Sequence, residues 1–402
     1  MTNPLPSFEP GAQGAEGTIP LSVPEIRGRE WEYVKDCLDT GWISSVGEYV
    51  TRFENEIARR TGTRYAVATV TGTAALHIAL MAAGVRPDDE VLVPTLTFIA
   101  PANAIRYAGA WPVFIDAEPQ YWQMDPAKVA EFLATKCARV GGELRNKSTG
   151  RRVSAIVPVD VLGHPVDIDP IAEIARTYGL AIVEDATESL GGKYKERFVG
   201  QLGDIACFSF NGNKVLTCGG GGMIVTDNEA WAKRAKYLTT QAKDDPIEYV
   251  HGEIGYNYRL TNLQAAVGCA QLEQLDEYVA KKRAVAADYR AAFKDVPGIT
   301  CMDQAPWASS IFWLFTILVD EARFGRSSRS LMRYLAEQGI QARPLWQPLH
   351  LSPPYRSAEA LLSGVAERLN RDALSLPSSV GLTRKDFERV VDAVHAARGK
   401  PR

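Results

Sequence analysis

The sequence has little that would indicate disulfides, metal binding, nucleic-acid binding or a membrane. Its six cysteines include no Cys-x-x-Cys pair and no paired Cys/His spacing, which argues against zinc and a disulfide framework and favours a reducing cytoplasm. No lysine/arginine run is longer than three residues, and the net charge is −3, so nucleic acid is not an expected partner. The apolar stretch 311–319 is too short to span a bilayer.

What the 402 residues do contain is an ordinary globular composition, 46% hydrophobic and 23% charged. This length suits one large α/β unit or two domains. Residues 1–20 lack the basic and apolar segments of a signal peptide, and we expect a flexible N-terminal arm there. Residues 21–279 are predicted to form a large domain, and residues 280–402 a smaller C-terminal one.

Apolar and helical patterns alternate along most of the chain. Apolar segments at 65–70, 90–94, 111–116, 155–159 and 180–184 are each followed by a helical pattern or a turn. Strands that are apolar on both faces predict a parallel sheet covered by helices, whose ligands bind at the carboxyl ends of the strands. Further on we predict a polar loop at 239–255, a long helix from Thr261 to about Asp295, and a helix at 358–370.

Lys214 has an unusual position in this pattern. It lies in a polar turn between two apolar segments, 205–210 and 223–226, and four glycines follow it. Lysine is rarely buried, and a desolvated lysine is a usable amine nucleophile. Taken alone, the stretch fits a surface hairpin with a solvated lysine equally well.

Two other strand ends carry groups that could serve one ligand. The strand at 65–70 runs through Thr71-Gly72-Thr73 into a helix, and a helix N-terminus after a glycine turn attracts anions. The strand at 180–184 runs into Asp185. Helix capping by a threonine and a surface position for Asp185 are the alternative explanations of these two features.

Together these groups meet the requirements of pyridoxal 5′-phosphate (PLP). Gly72, Thr73 and Ser209 are candidates to hold its phosphate, and Lys214 to form a Schiff base with its aldehyde. Asp185 is the candidate to keep the pyridine nitrogen protonated. A metal or nicotinamide site would leave the lysine unexplained, so we predict no metal.

The chain also resembles the DegT/StrS family of PLP-dependent sugar aminotransferases. The resemblance extends from Ile19 to Tyr355 and rests on the blocks TGTAALHIAL, DEVLVPTLTFIAPANAI, IVEDATESLGGKY, FSFNGNKVLTCGGGGMIVT and GYNYRLTNLQAAVGCAQLE. It implies the fold type I architecture, a mixed and mostly parallel seven-stranded sheet with helices on both faces, plus a smaller C-terminal α/β domain. It also implies a cytoplasmic homodimer with shared active sites.

The same resemblance implies roles for individual residues. Lys214 would bond the cofactor and serve as general base and acid, Asp185 would pair with the pyridinium nitrogen, and Phe98 would stack on the ring. Asn257 would reach the phosphate in the partner subunit's site. Most of the family has glutamine, a ligand of the cofactor's phenolic oxygen, where this chain has Glu188. A glutamate there must be protonated or find another donor.

The blocks GNK with GGGG, EDATES and GWISSVG resemble most the subgroup that aminates C4 of nucleotide-linked 4-keto-6-deoxy-N-acetylhexosamines. We therefore expect L-glutamate as amino donor and a UDP- or GDP-linked sugar of polysaccharide biosynthesis as acceptor. Candidate substrate contacts are Trp42, Ser44, Arg259 and His350, and His164 could touch the substrate as His350 could. Arg259 also fits a structural or phosphate-facing role at the dimer contact. His77 fits a packed histidine.

Two alternatives remain open at this point. The same residues would serve a 3-keto sugar or cyclitol aminotransferase. A non-catalytic sensor that binds PLP and a sugar nucleotide to regulate transcription is disfavoured, because no basic DNA-binding segment is visible and the lysine is intact.

Overall fold

The structure is a computed structural model that describes residues 17–245 and 247–399. Most of the predicted N-terminal arm, residues 1–16, lies outside the described residues. Ile19 is buried, and its backbone N–H donates to the Gly339 carbonyl at 2.8 Å while its carbonyl accepts from Gln341 N at 2.9 Å. The described end of the arm is therefore tied to the C-terminal part of the chain.

The described residues form eighteen strands. They are β1 (Tyr65–Thr69), β2 (Glu90–Pro94), β3 (Trp111–Ile115), β4 (Cys137–Val140), β5 (Glu143–Asn146), β6 (Val153–Ile156), β7 (Ala181–Asp185), β8 (Lys193–Tyr194), β9 (Arg197–Phe198), β10 (Ile205–Ser209), β11 (Gly222–Thr226), β12 (Lys243–Asp245), β13 (Val250–His251), β14 (Ile299–Cys301), β15 (Ala308–Ser309), β16 (Phe315–Val319), β17 (Ala360–Leu361) and β18 (Ala373–Leu376).

The same residues form thirteen α-helices and three short 3₁₀ turns. The helices are α1 (Glu30–Thr40), α2 (Glu48–Thr61), α3 (Gly72–Ala82), α4 (Ala100–Tyr107), α5 (Pro126–Lys136), α6 (Ile168–Tyr178), α7 (Glu229–Thr239), α8 (Asn262–Leu272), α9 (Leu275–Phe293), α10 (Glu321–Phe324), α11 (Ser328–Glu337), α12 (Val365–Asp372) and α13 (Arg384–Ala396). None of the helices in these residues is long and apolar enough to cross a membrane.

The main sheet has the strand order β1-β11-β10-β7-β6-β2-β3-β17. Strand β11 runs antiparallel to both of its neighbours, and the other pairs are parallel. The central strands are buried on both faces, as expected for a sheet covered by helices. The predicted α/β class with a mixed, mostly parallel sheet is confirmed. Seven strands were expected, and the two-residue β17 makes an eighth.

The carboxyl ends of β1, β2, β7 and β10 lie at one edge of this sheet, because these strands are mutually parallel. Strand β11 runs the other way, so the glycines that precede it lie at the same edge. This topology brings Thr71, Asp185, Ser209 and the Lys214 turn, which are distant in sequence, to one place. It is the edge where ligands of such sheets bind.

Three segments differ from the sequence predictions. The long helix predicted from Thr261 is interrupted between α8 and α9, where Gln274 N donates to the Gln271 carbonyl and tightens the turn. The predicted loop 239–255 contains the β12–β13 hairpin. The helix predicted at 358–370 begins only at Val365, because the Asp116 carboxylate accepts from the backbone N–H groups of Val365 and Ala366 and caps it there.

A second, three-stranded sheet of order β14-β16-β18 lies in the C-terminal part of the chain. The predicted domain boundary at residue 280 falls inside the continuous helix α9. In addition, β17 joins the main sheet although it comes late in the chain. The division into 21–279 and 280–402 therefore stays a prediction.

Candidate active site

A cavity of about 320 Å³ opens at the carboxyl ends of the main-sheet strands. This volume is at the lower end of the range of small-molecule sites. Among the residues that line it are six predicted from the sequence to contact the cofactor: Gly72, Thr73, Phe98, Glu188, Ser209 and Lys214. The structure thus brings most of the predicted cofactor residues together.

Lys214 projects into this cavity from the turn after β10. Its backbone N–H donates to the Asn211 carbonyl at 3.0 Å, and its side chain is only 13% exposed. The Nζ atom lies 3.4 Å from Glu188 Oε1 and 3.9 Å from the centroid of the Trp313 ring. The alternative of a solvated lysine on a surface hairpin is therefore wrong.

Glu188 is a buried carboxylate with donors for both oxygens. Its Oε2 accepts from Leu162 N at 2.9 Å, and its Oε1 faces Lys214. Burial raises the pKa of Glu188, and the Lys214 charge opposes that rise. Leu162 N and Lys214 Nζ are thus the donors to Glu188 in this structure, and its state beside the cofactor stays a prediction.

The backbone at Leu162 and Gly163 has an unusual conformation where the Leu162 N–H contacts Glu188. Leu162 has φ 60° and the following Gly163 has φ 84°, both in the left-handed region. A Cβ on Gly163 would lie 2.9 Å from the Glu188 carbonyl oxygen and 3.0 Å from Trp313 N. Only glycine fits between these two backbone atoms.

Asp185 ends β7 and is 2% exposed. Its Oδ1 accepts from Thr187 N at 3.1 Å, and Thr187 lines the cavity. Burial raises the pKa of Asp185, whereas the Thr187 hydrogen bonds and the Lys214 charge lower it. A carboxylate in this position can hold a proton on a basic ring nitrogen.

Helix α3 and strand β10 form an anion cradle on another side of the cavity. The Thr71 hydroxyl caps α3 by accepting from Ala74 N at 3.0 Å, and the first N–H groups of a helix have no acceptor inside it. A Cβ on Gly72 would lie 2.7 Å from Ser209 Cβ, so a glycine is needed for the hydroxyl to come this close. Helix N–H groups with the Thr73 and Ser209 hydroxyls suit a phosphate.

The residues of this cavity fit PLP. They combine a desolvated amine, a buried carboxylate, an anion cradle and a 54% exposed aromatic ring, Phe98. These match the aldehyde, the phosphate and the flat ring of the cofactor. Asp185, the predicted partner of the ring nitrogen, is not among the residues that line the cavity, and it is hydrogen-bonded to Thr187, which is. Within residues 17–245 and 247–399, no group of His, Cys, Asp and Glu side chains is arranged to hold a metal ion.

Asn257, Arg259 and Trp42 line a different cavity of about 890 Å³. Arg259 Nη1 donates to Glu54 Oε1 at 2.9 Å and to the Ala68 carbonyl at 3.0 Å, which fits the structural role considered for it. Ser44 lies on the same loop as Trp42, and its carbonyl accepts from Asn262 N at 2.6 Å. Asn257 and Lys214 of the same chain thus line different cavities, and the contact of Asn257 with the phosphate in the partner subunit's site stays a prediction.

The three histidines considered from the sequence do not line the cavity that contains Lys214. His350 contacts Thr95 Oγ1 through Nδ1 at 2.7 Å and Glu367 through Nε2 at 3.0 Å. His164 is buried; its Nε2 accepts from Ala305 N at 2.9 Å, and its Nδ1 lies 2.7 Å from the Pro165 carbonyl. His77 is also buried and packs edge-on against tyrosine rings. His77 and His164 are thus packed histidines.

Sequence reasoning missed the tryptophans of this cavity, Trp313 and Trp346. Trp313 Nε1 donates to the Asn213 carbonyl at 2.8 Å, and Trp313 N donates to the Leu162 carbonyl at 2.9 Å. The buried Lys282 donates to the Trp313 carbonyl at 2.8 Å. Trp313 lies in the apolar stretch 311–319 that predicted a buried strand, so no sequence signal set it apart.

Residues 24–395 match the family described as the DegT/DnrJ/EryC1/StrS aminotransferase family. GDP-perosamine synthase from Caulobacter vibrioides is 39% identical over 377 residues, covering 94% of this chain and 97% of that protein. EpsN from Bacillus subtilis, whose name describes a PLP-dependent aminotransferase, is 38% identical over 380 residues, covering 94% of this chain and 95% of that protein. The crystal structure of DesI in the presence of its TDP-sugar product has a TM-score of 0.84 at 30% identity, covering 96% of this chain and 94% of that one.

Proposed function

This chain belongs to the DegT/DnrJ/EryC1/StrS aminotransferase family, and from that premise we propose that it transfers an amino group from L-glutamate to C4 of a nucleotide-linked 4-keto-6-deoxy sugar. It is a PLP-dependent aminotransferase, as its family and its relatives establish. The observation that carries the amino-transfer part of the proposal is the Lys214 amine, largely buried in a cavity that also holds the anion cradle of Gly72 and Ser209.

The chain's own residues account for the chemistry. PLP, when bound, supplies an electron-withdrawing ring that weakens bonds at the carbon bearing the amino group. Lys214 removes a proton from that carbon and returns one to the carbon that receives the amine, a step typically worth about 10²–10⁴-fold in rate. Asp185 holds a proton on the ring nitrogen, and Gly72, Thr73 and Ser209 hold the phosphate.

Two acceptor sugars have specific support. The relative from Caulobacter vibrioides is named GDP-perosamine synthase and matches this chain over 94% of its length, which favours a GDP-linked sugar aminated at C4. The blocks around Trp42 and Lys214 favour a UDP- or GDP-linked N-acetylhexosamine instead. We take the GDP-linked 4-keto-6-deoxyhexose as the first candidate and the N-acetylated sugar as the second.

We further propose that the enzyme is a cytoplasmic homodimer in which Asn257 completes the partner subunit's site. The support lies in the surface around the second cavity. Trp42 and Val46 on its loop are exposed, as are Tyr249 and Ile254 on or beside the β12–β13 hairpin. Apolar side chains exposed together in this way mark an interaction surface, and a second copy would cover them.

An amino-transfer assay with nitrogen-15-labelled L-glutamate tests the proposal. The purified enzyme is given GDP-linked 4-keto-6-deoxyhexose, a UDP-linked 4-keto-6-deoxy-N-acetylhexosamine, a 3-keto sugar nucleotide and a keto-cyclitol in parallel. We expect the label at C4 of the GDP-linked product with the highest kcat/KM. A label at C3 or on the cyclitol, or no transfer to any acceptor, would contradict the proposed reaction.

A further inference from the structure

Glu188 is the acidic side chain nearest to the reactive amine in the described residues. Its Oε1 lies 3.4 Å from Lys214 Nζ, and the residue is 6% exposed. We propose that Glu188 is the proton acceptor of Lys214: it takes and keeps the proton that the ammonium gives up when the amine bonds an aldehyde. This inference rests on the proposed function of Lys214 as the amine that bonds PLP.

The contacts of the two Glu188 oxygens favour this role. Oε2 is occupied by the backbone N–H of Leu162 at 2.9 Å. Because a backbone N–H does not give up its proton at neutral pH, Oε2 serves to orient the carboxylate. Oε1 is left facing the amine. Gly163, which fits only without a Cβ, keeps Leu162 close enough for this contact.

Asp185 is less suited to the same task. Its described hydrogen bond is to Thr187 N at 3.1 Å, and within residues 17–245 and 247–399 no hydrogen bond or ion pair joins it to Lys214. Its negative charge acts on Glu188 and favours the protonated form of that side chain. The two acids are thus arranged for different tasks, Asp185 as a lasting anion and Glu188 as the group that changes its charge.

The proton transfer is balanced within the pair. The N–H bond of the Lys214 ammonium breaks, an O–H bond forms at Glu188 Oε1, and the electron pair stays on the nitrogen. That electron pair is what the amine needs to bond an aldehyde carbon, whose oxygen leaves as water. When the amine is released again, the proton returns from Glu188 to the nitrogen.

Burial lowers the free-energy cost of this proton transfer. A charged pair removed from water loses solvation on both partners, whereas a neutral acid beside a neutral amine loses much less. The charged groups that act on Glu188 are Lys214 and Asp185, and the Leu162 N–H is its remaining donor. Of these charges only Lys214 favours the carboxylate, so Glu188 gains affinity for a proton once the lysine charge is gone.

Infrared difference spectroscopy on the full-length protein before and after addition of PLP tests the inference. We expect the carbonyl band of a protonated carboxylic acid to appear on addition, and to shift when the glutamate residues carry carbon-13. Glu188→Gln keeps the size of the side chain but accepts no proton, and should lack the band. Asp160→Asn alters a buried acid that bonds Ser189 and Val166 instead of Lys214, and should keep it.

Borohydride reduction and peptide mass spectrometry of the same samples separate the possible failures. PLP attached to Lys214 without an acid band would overturn the inference and leave the proposed function intact. A band that shifts with labelled aspartate would identify Asp185 as the acceptor and also overturn it. Absence of PLP from Lys214 would refute the proposed function, and the inference with it. Absence of a glutamate-derived acid band in the labelled wild-type protein overturns the inference even if a variant fails to fold.

Discussion

The Lys214 Nζ lies 3.9 Å from the centroid of the Trp313 ring, over the face of the indole. Trp313 is buried, and its indole N–H also donates a hydrogen bond to the carbonyl of Asn213, the residue before Lys214. A cation over an aromatic face is stabilised by about 0.5–2 kcal/mol. Trp313 therefore positions both the amine and the turn that carries it.

Trp313→Phe should keep much of the activity, because it retains an aromatic face beneath Lys214. Trp313→Ala removes the face and leaves a cavity, and we expect it to lose at least about tenfold in kcat/KM and about 3–5 kcal/mol of unfolding free energy. Steady-state kinetics and urea unfolding of both variants measure this. Equal activity in the two variants would show that the ring face does not position the amine.

The buried Lys282 should make stability depend on pH above neutrality. Its Nζ donates to the Trp313 and Ser378 carbonyls, and burial lowers its pKa to about 7. Between pH 7 and the ordinary lysine pKa, the unfolded chain holds a proton that the folded chain has lost. Stability therefore rises with pH in this window, by about 2 kcal/mol from pH 7 to pH 9.

Lys282→Met should remove that rise. Denaturant unfolding of wild type and variant at pH 7 and pH 9, at one protein concentration, isolates the contribution of this side chain. The same pH slope in both proteins would show that Lys282 keeps its proton when folded.

His164 should make stability depend on pH below neutrality. Burial lowers its pKa to about 4, and its Nε2 must stay unprotonated to accept from Ala305 N. Between the ordinary histidine pKa and pH 4 the unfolded chain binds the extra proton, so stability falls as the pH falls. We expect a loss of about 2 kcal/mol from pH 7 to pH 5.

His164→Gln keeps an acceptor for Ala305 but does not titrate in this range. Its unfolding free energy should change less than that of wild type between pH 7 and pH 5 in urea titrations. If both proteins lose the same amount, other groups cause the acid sensitivity.

Mixed dimers test whether Asn257 completes the partner subunit's site. Lys214→Ala removes the amine, and Asn257→Glu places a negative charge where a phosphate would bind. If the sites are shared, one site of each mixed dimer keeps both native residues, and an equal mixture of the two variants should recover about a quarter of wild-type activity. Activity that stays at the level of the separate variants after subunit exchange would show that each site is built from one chain.

The sheet and its ligand-binding edge could be predicted from the sequence because their signals are local. Strands such as β2 and β7 contain the apolar runs 91–93 and 181–183, and the Lys214 turn and the Thr71-Gly72-Thr73 turn each follow an apolar segment. Parallel topology then brings these turns together without further information. The meeting of Lys214, Asp185 and the glycine turn at one edge of the sheet could therefore be predicted.

The contribution of Trp313 could not be predicted in this way, because it depends on long-range contacts. Trp313 forms hydrogen bonds with Lys282, Leu162 and Asn213, which lie in three separate parts of the chain. An apolar stretch in the sequence does not reveal which of its side chains faces a cavity. The break between α8 and α9 was missed for a related reason. No glycine or proline marks Glu273 and Gln274, so periodicity continues through them.

Borohydride reduction of the purified, PLP-loaded enzyme, followed by peptide mass spectrometry, tests the central claim most directly. We predict the mass of a reduced phosphopyridoxyl group on the peptide that contains Lys214, and none on the peptide that contains the other buried lysine, Lys282. Modification of a different lysine, or an unmodified Lys214 in protein saturated with PLP, would contradict the account.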